Sequence, residues 1–155
     1  MVTEFVAGAT AVLAMLVSVV IHLAALELIL RWVCIPTRHL TGLMIGVPLL
    51  MLSHVVQVGV FGAGLWALHA WYGPEVGELS GGFTPDPVSV WYFSASVFTT
   101  VGFGDIVATG AIRVFVGLEA IAGLVLITWS ASFTFLGMQM NWRSRVSEVE
   151  AALDR

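Results

Sequence analysis

Residues 99–105 read Thr-Thr-Val-Gly-Phe-Gly-Asp, and this short stretch decides how the chain can fold. It lies in a chain with 59% hydrophobic and only 10% charged residues, a composition that favours a membrane protein over a soluble domain. Two glycines separated by one residue disfavour a regular helix. They also allow backbone conformations that other residues avoid. Non-helical backbone is tolerated at membrane depth only where it is buried in protein or lines a water-filled path. The sequence therefore predicts a cavity around this stretch.

Three long apolar runs surround it, at residues 5–30, 43–71 and 111–140. Each exceeds the roughly 20 residues that a helix needs to cross a bilayer, so we predict three transmembrane helices. The first run follows an acidic residue, Glu4, and is far longer than a signal-peptide core, so we expect it to be retained. A short polar link at residues 31–42 joins the first two helices.

The region before the glycine pair divides into a loop and a short helix. Residues 72–87 are rich in glycine and proline and predict a loop. Residues 88–98 are mostly apolar but too short to span a bilayer, which suits a re-entrant helix. Asp86 followed by Pro87 is a helix start signal, an acidic N-cap before proline in the first turn.

Charge and cysteine content exclude several classes. The chain has no lysine, and its six arginines form no basic stripe, so nucleic acid is not an expected partner. A single cysteine, Cys34, can form neither an internal disulfide nor a multi-cysteine metal site.

Residues 99–105, with the loop and short helix before them and the apolar helix after them, resemble the selectivity-filter region of pore-loop potassium channels. The resemblance covers residues 72–140. It implies an all-α membrane protein with three transmembrane helices, and with a re-entrant pore helix and an extended filter between the second and third. The pore would be a homotetramer in a lipid bilayer, because one chain supplies one filter strand.

The resemblance also assigns roles along the chain. The outer helix would be 43–71, the extracellular loop 72–87, the pore helix 88–98, the filter 99–105 and the inner helix 111–140, followed by a short cytoplasmic tail at 141–155. Residues 1–42 would be an additional helix and its link, with the helix on the lipid side. Potassium would be the permeant ion, with no organic cofactor and no enzymatic activity.

By position, potassium would be bound by the backbone carbonyls of Thr100, Val101, Gly102 and Phe103, with the Thr100 hydroxyl completing the innermost site. The filter would be supported, and its outer mouth formed, by Thr99, Gly104, Asp105, Phe93 and Ser96. On their own, Thr99 and Thr100 also suit a plain helix C-cap.

The chain departs from the usual pattern around the filter. Phe103 replaces the usual tyrosine, and Tyr92 and Phe93 stand where many relatives have two tryptophans. Since Phe103 has no hydroxyl and Phe93 no N–H, we expect packing alone to hold this aromatic cuff. Ser96 stands where some relatives have glutamate, so Asp105 must find another partner. A filter loosened at Phe103 would make a channel that is not selective among monovalent cations, which remains an alternative.

The orientation follows from two arguments. In the resembling family the glycine-rich end of the filter faces outside, which places the N-terminus outside and the C-terminus in the cytoplasm, with the chain in the cell membrane. The inner segments would then hold five of the six arginines, as the positive-inside rule expects: Arg31, Arg38, Arg143, Arg145 and Arg155. The outside would hold the acids Glu75, Glu78, Asp86 and Asp105.

Three further residues stand out within the apolar runs, and two of them carry open alternatives. Gly123, near the middle of the last helix, suits either a gating hinge or close packing. Glu119 is either functional, as intramembrane carboxylates often are, or hydrogen-bonded to the back of the pore helix. Glu27 is explained by Arg31, four residues later.

His22 and His54 should lie at similar depth on the first two helices, with Gln57 one turn further along the second. We predict a buried, hydrogen-bonded clamp between these helices. Two unrelated histidines, each bonded to a backbone carbonyl or a serine, are an alternative. A third alternative is a membrane haem protein of redox or sensor function, with the two histidines as iron ligands.

Overall fold

The computed structural model describes residues 1–31 and 39–153. It contains four α-helices: α1 (Val2–Ile29), α2 (His39–Tyr72), α3 (Pro87–Phe98) and α4 (Ile112–Leu153). Three of them, all but α3, are long and apolar enough to cross a membrane. The predicted fold class is confirmed: this is an all-α membrane protein with a short helix between the second and third spanning helices.

Two helix ends differ from the sequence-based bounds by four residues or more. Helix α2 begins at His39, four residues before the predicted outer helix. Helix α4 continues past Met140 to Leu153, so most of the predicted tail is helical. The reason is local, since residues 138–153 contain no glycine or proline to end the helix. Most of the predicted link, residues 32–38 with Arg38, lies outside the described residues, and so does Arg155.

The loops on either side of α3 are joined by a two-stranded ladder that the sequence did not predict. Strand β1 (Leu79–Gly81) pairs antiparallel with β2 (Ile106–Ala108). The Gly82 amide extends the ladder by donating to the Asp105 carbonyl at 2.8 Å. Three-residue strands are too short for a periodic signal, and their pairing partner lies far away in the chain. The ladder ties the segment after residues 99–105 to the loop before α3.

The core forms where α1 packs against both α2 and α4. One face of α1 carries small buried residues, Ala7, Ala11, Ala14 and Ser18, which let the helix backbones approach closely. Within one chain α1 therefore contacts the predicted inner helix as well as the predicted outer helix. The ring centroid of Phe61 on α2 lies 6.0 Å from that of Phe98 on α3 and 6.0 Å from that of Phe115 on α4, and these contacts fix α3 in the core.

Candidate functional site

The start of α3 is held by its N-cap, Asp86, as the sequence predicted. The Asp86 Oδ1 accepts hydrogen bonds from the amides of Val88 at 2.8 Å and Ser89 at 3.0 Å. Its other oxygen accepts from the hydroxyls of Thr84 and Ser89. Hydrogen bonds from Thr84 and then Ser89 lower the pKa of Asp86 to about 2. The cap thus sets where α3 begins, and α3 ends at Phe98, directly before the glycine-containing stretch.

The backbone after α3 alternates in handedness. Thr100, Gly102 and Gly104 have φ values of 59°, 56° and 82°, whereas Val101 and Phe103 between them stay outside the positive region. Among the described residues, Thr100 is the only non-glycine residue with positive φ, a conformation that costs about 1–3 kcal/mol. Alternation of this kind turns successive carbonyls to one side of the chain, whereas successive carbonyls of a regular strand point to opposite sides.

The amide groups of this stretch point back to α3. Thr100 N–H donates to the Val97 carbonyl at 2.9 Å, and Gly102 N–H to the Ser96 carbonyl at 3.1 Å. Phe103 N–H donates to the Ser96 hydroxyl at 3.3 Å. In a trans peptide the N–H and the preceding C=O point in opposite directions. The carbonyls before these three amides are therefore directed away from α3.

An aromatic stack and a hydrogen bond hold the C-terminal end of the stretch. The rings of Tyr92 and Phe103 are parallel within 5°, with centroids 5.9 Å apart. The Tyr92 hydroxyl donates to the Asp105 carboxylate at 2.9 Å, and the Ile106 amide donates to the same carboxylate at 3.1 Å. The expectation that packing alone holds the cuff was wrong, because Tyr92 supplies a hydroxyl. Phe93 is buried in the core.

A polar contact joins α3 to α4 behind the stretch. Glu119, fully buried on α4, is hydrogen-bonded through Oε1 to the Ser94 hydroxyl of α3. Ser94 also lies 3.0 Å from the Val58 carbonyl of α2. Glu119 Oε2 has no partner among the described residues. Of the two open interpretations of Glu119, the structure matches the hydrogen bond to the back of the short helix.

Gly123 lies against the end of α3. A Cβ atom built at Gly123 would meet the Phe98 carbonyl oxygen at 1.9 Å, so only glycine lets α4 pass this point. Helix α4 continues without a break through Gly123. The geometry accounts for this glycine by close packing, and a hinge at the same residue stays a prediction.

The histidines do meet, and a third helix joins them. The rings of His22 and His54 stack with centroids 5.5 Å apart. Gln57 lies between them in the hydrogen-bond network, 2.9 Å from His54 Nδ1 and 3.4 Å from His22 Nδ1. His54 Nε2 lies 2.9 Å from the hydroxyl of Ser130 on α4. The cluster therefore links α1, α2 and α4.

Neutral histidines satisfy this chain of contacts in one consistent way. Ser130 donates to His54 Nε2, His54 Nδ1–H donates to the Gln57 carbonyl oxygen, and the Gln57 amide donates to His22 Nδ1. His22 Nε2–H is then buried without a partner among the described residues. The predicted clamp is thus present through Gln57 rather than by a direct bond between the imidazoles.

Haem ligation does not fit these histidines. Two axial ligands must each direct a ring nitrogen at an iron that lies between them. Both nitrogens of His54 are instead engaged by Gln57 and Ser130, and its ring stacks face to face on His22.

Comparison with known protein families adds one finding. Residues 53–138, more than half of the chain, match the family described as "Ion channel". The chain belongs to this ion channel family. The match contains α3, the alternating stretch and the membrane part of α4, and it leaves out α1 of this channel. No curated protein and no solved structure matches the chain.

Two contributors to the channel's structure escaped the sequence analysis. Ser130 was not considered, although a serine in an apolar helix is a signal for an interhelical hydrogen bond. The bond from Tyr92 to Asp105 was also missed, although Tyr92 precedes Ser96 by four residues and so shares its face of α3. The Glu27 carboxylate does pair with Arg31, at 2.6 Å, as predicted.

Proposed function

We propose that this ion channel conducts potassium ions passively and selectively, as a homotetramer in the cell membrane. The observation that carries the proposal is the alternating backbone at Thr100, Gly102 and Gly104, together with the amides of Thr100, Gly102 and Phe103 that are bonded to α3. Carbonyl oxygens held on one side of a chain can replace the hydration shell of a dehydrated cation. The potassium ligands would be the carbonyls of Thr100, Val101, Gly102 and Phe103, with the Thr100 hydroxyl at the inner end.

Four copies are needed because one row of carbonyls cannot enclose an ion. Rotation about a central axis would bring four such rows together. The side chains of Val101 and Phe103 are exposed in the single chain, which is consistent with neighbouring copies covering them. A monomer with apolar side chains exposed next to a strained backbone is energetically unfavourable, and association with further copies would bury those side chains.

The contacts that support the filter favour a potassium-selective pore over a pore that is not selective among cations. Selectivity requires a defined number and placement of carbonyl dipoles around the ion. Phe103 lacks a hydroxyl, yet its amide is bonded to Ser96 and its ring is stacked on Tyr92. Two separate contacts to α3 therefore limit how far the filter backbone can relax, in place of the bond that a tyrosine would supply.

The proposed orientation places the N-terminus outside and the C-terminus in the cytoplasm. The cap of α3 and the ladder between β1 and β2 then lie on the outer side. Exposed Glu75 and Glu78 lie in that outer loop, whereas Arg143 and Arg145 lie on the far part of α4. This distribution follows the positive-inside rule.

The test is cation flux into proteoliposomes that contain the purified protein, with potassium and sodium compared at equal concentration. We expect potassium uptake well above sodium uptake. Gly102→Ala should abolish it, because φ at Gly102 is 56°, where alanine is strained. Gly59→Ala is the matched control, since a Cβ there meets no atom within 4 Å. Equal uptake of both ions would instead establish the non-selective alternative, and no uptake under any pH or voltage would refute the proposal.

A further inference from the structure

Helix α4 is about twice as long as a membrane is thick. Its 42 residues extend about 63 Å, whereas a hydrocarbon core measures about 30 Å. The helix begins at Ile112, close to the filter end of the molecule. The part after Met140 carries exposed charged residues, which include Arg143, Arg145 and Glu150. This part therefore projects beyond the bilayer into water.

The projecting part exposes a regular apolar stripe. Trp142, Val146, Val149 and Leu153 follow one another at spacings of four, three and four residues. Each is between 45% and 81% exposed in the single chain. We call these four residues the tail stripe. A three-four spacing of apolar residues is the heptad pattern of helices that pair along a seam.

A membrane surface is a poor partner for the tail stripe. An interfacial helix must lie flat in the plane of the membrane. Helix α4 is continuous from Ile112 to Leu153, and no glycine or proline follows Gly137 that would allow a sharp turn. The tail stripe therefore continues along the direction of the membrane helix, where parallel copies of the same helix are available to cover it.

We propose that the tail stripes of four copies pack together as a parallel coiled coil beneath the pore, an inference that rests on the proposed homotetramer. Fourfold rotation places the four α4 helices parallel and in the same register, as a parallel coiled coil requires. Val146 and Leu153 then occupy the a positions, and Trp142 and Val149 the d positions.

Charge at the flanking positions matches this register. In it, Arg145 takes a g position and Glu150 the following e position. In parallel coiled coils a g residue faces the next e residue of the neighbouring helix. Arg145 of one copy therefore pairs with Glu150 of the next, four times around the bundle.

The same spacing runs back into the membrane without interruption. Continued from Trp142 towards the filter, it passes through six residues that are all exposed in the single chain: Gln139, Phe135, Ser132, Thr128, Val125 and Ile121. The tail stripe is thus continuous with one exposed face of the proposed inner helix. Gln139 falls at an a position, where a polar residue specifies register at some cost in stability.

Disulfide cross-linking in the full-length protein tests the packing. In a Cys34→Ser background, Val149→Cys places thiols at d positions, and Ser147→Cys places them at the outward b position as the matched control. After oxidation of the detergent-purified protein, we expect covalent dimers on denaturing gels for Val149→Cys and monomers for Ser147→Cys. Mass measurement of the parent protein separates the two proposals. A tetrameric parent without selective cross-linking at 149 would overturn this inference alone, whereas a monomeric parent would overturn the homotetramer as well.

Charge reversal tests the register in the same protein. Arg145→Glu and Glu150→Arg should each lower the temperature at which the tetramer dissociates, and the double variant should recover most of the loss. Ser147→Glu, at the outward position, should leave that temperature unchanged. Single variants that dissociate like the parent, or a double variant that recovers nothing, would overturn the proposed g–e pairing.

Discussion

The imidazole rings of His22 and His54 stack across the contact between α1 and α2, with centroids 5.5 Å apart and planes inclined by 26°. Gln57 connects them, and Ser130 extends the network to α4. Helix α1 is thereby attached by polar contacts to α2 and α4, which both contribute to the region that matches the ion channel family. Removal of either ring leaves buried polar atoms of the network without partners.

The histidine network should behave as one unit. We expect His54→Ala to cost about 1–3 kcal/mol of stability, because the buried side chains of Gln57 and Ser130 lose their hydrogen-bond partner. His22→Ala should cost less, and the double variant should cost little more than His54→Ala. Thermal unfolding in detergent measures all three, with Val20→Ala, exposed on α1, as the control. Additive losses in the double variant would show that the two rings act independently.

Gly123 should tolerate no side chain. The Cβ of Gly123→Ala would overlap the Phe98 carbonyl, so α3 or α4 must shift, at a cost of about 1–3 kcal/mol. The control Gly59→Ala has open space and should be neutral or slightly stabilising. Thermal midpoints in detergent, with potassium flux as a second readout, compare the two. Equal stability of both variants would contradict close packing at Gly123 and favour its role as a hinge.

The hydroxyl of Tyr92 should stabilise the C-terminal end of the proposed filter. Tyr92→Phe keeps the stacked ring on Phe103 but removes the donor to Asp105. The contact is exposed, so we expect only a small loss of stability, measured as the thermal midpoint, together with a lower ratio of potassium to sodium flux. The chain's other tyrosine offers the control Tyr72→Phe. An unchanged flux ratio in Tyr92→Phe would mean that the ring alone holds this end.

Glu119 should be replaceable by glutamine but not by alanine. An amide at residue 119 can donate to the Ser94 hydroxyl while Ser94 donates to the Val58 carbonyl. Glu119→Gln should therefore keep its stability and conduction, whereas Glu119→Ala should lose about 2–5 kcal/mol of stability through the cavity that it leaves. Unfolding and flux assays compare the variants. Loss of conduction in a stable Glu119→Gln protein would instead assign a functional carboxylate.

The cap of α3 should make stability depend on acid pH. The pKa of Asp86 is about 2 in the folded chain, below the ordinary value of 3.8. A lowered folded pKa means that the stabilisation is full above about pH 4 and is lost as the pH falls towards about 2. Asp86→Asn keeps a capping side chain but cannot titrate. The thermal midpoint of the parent should therefore fall more between pH 5 and pH 3 than that of the variant, and parallel falls would contradict the assignment.

Features that depend on neighbours in the chain could be read from the sequence alone. The three spanning helices follow from the length of the apolar runs, and the start of α3 follows from Asp86 and Pro87. The irregular stretch at residues 99–105 follows from its glycines, whose left-handed backbone other residues rarely adopt. Each of these is a local preference, so contacts elsewhere in the chain did not have to be known.

Which side chains meet across helices depended on the packing of the whole chain. The sequence indicated that His22 and His54 lie at similar depth. The contact between Ser130 and His54 exists only because α4 packs against α2. Asp105 contacts Tyr92 because the irregular stretch folds back along α3. The pairing of β1 with β2 holds the segment after Asp105 against the loop before α3. These contacts depend on packing angles and rotamers, which are fixed when the helices bury their surfaces together and are not encoded in any single segment.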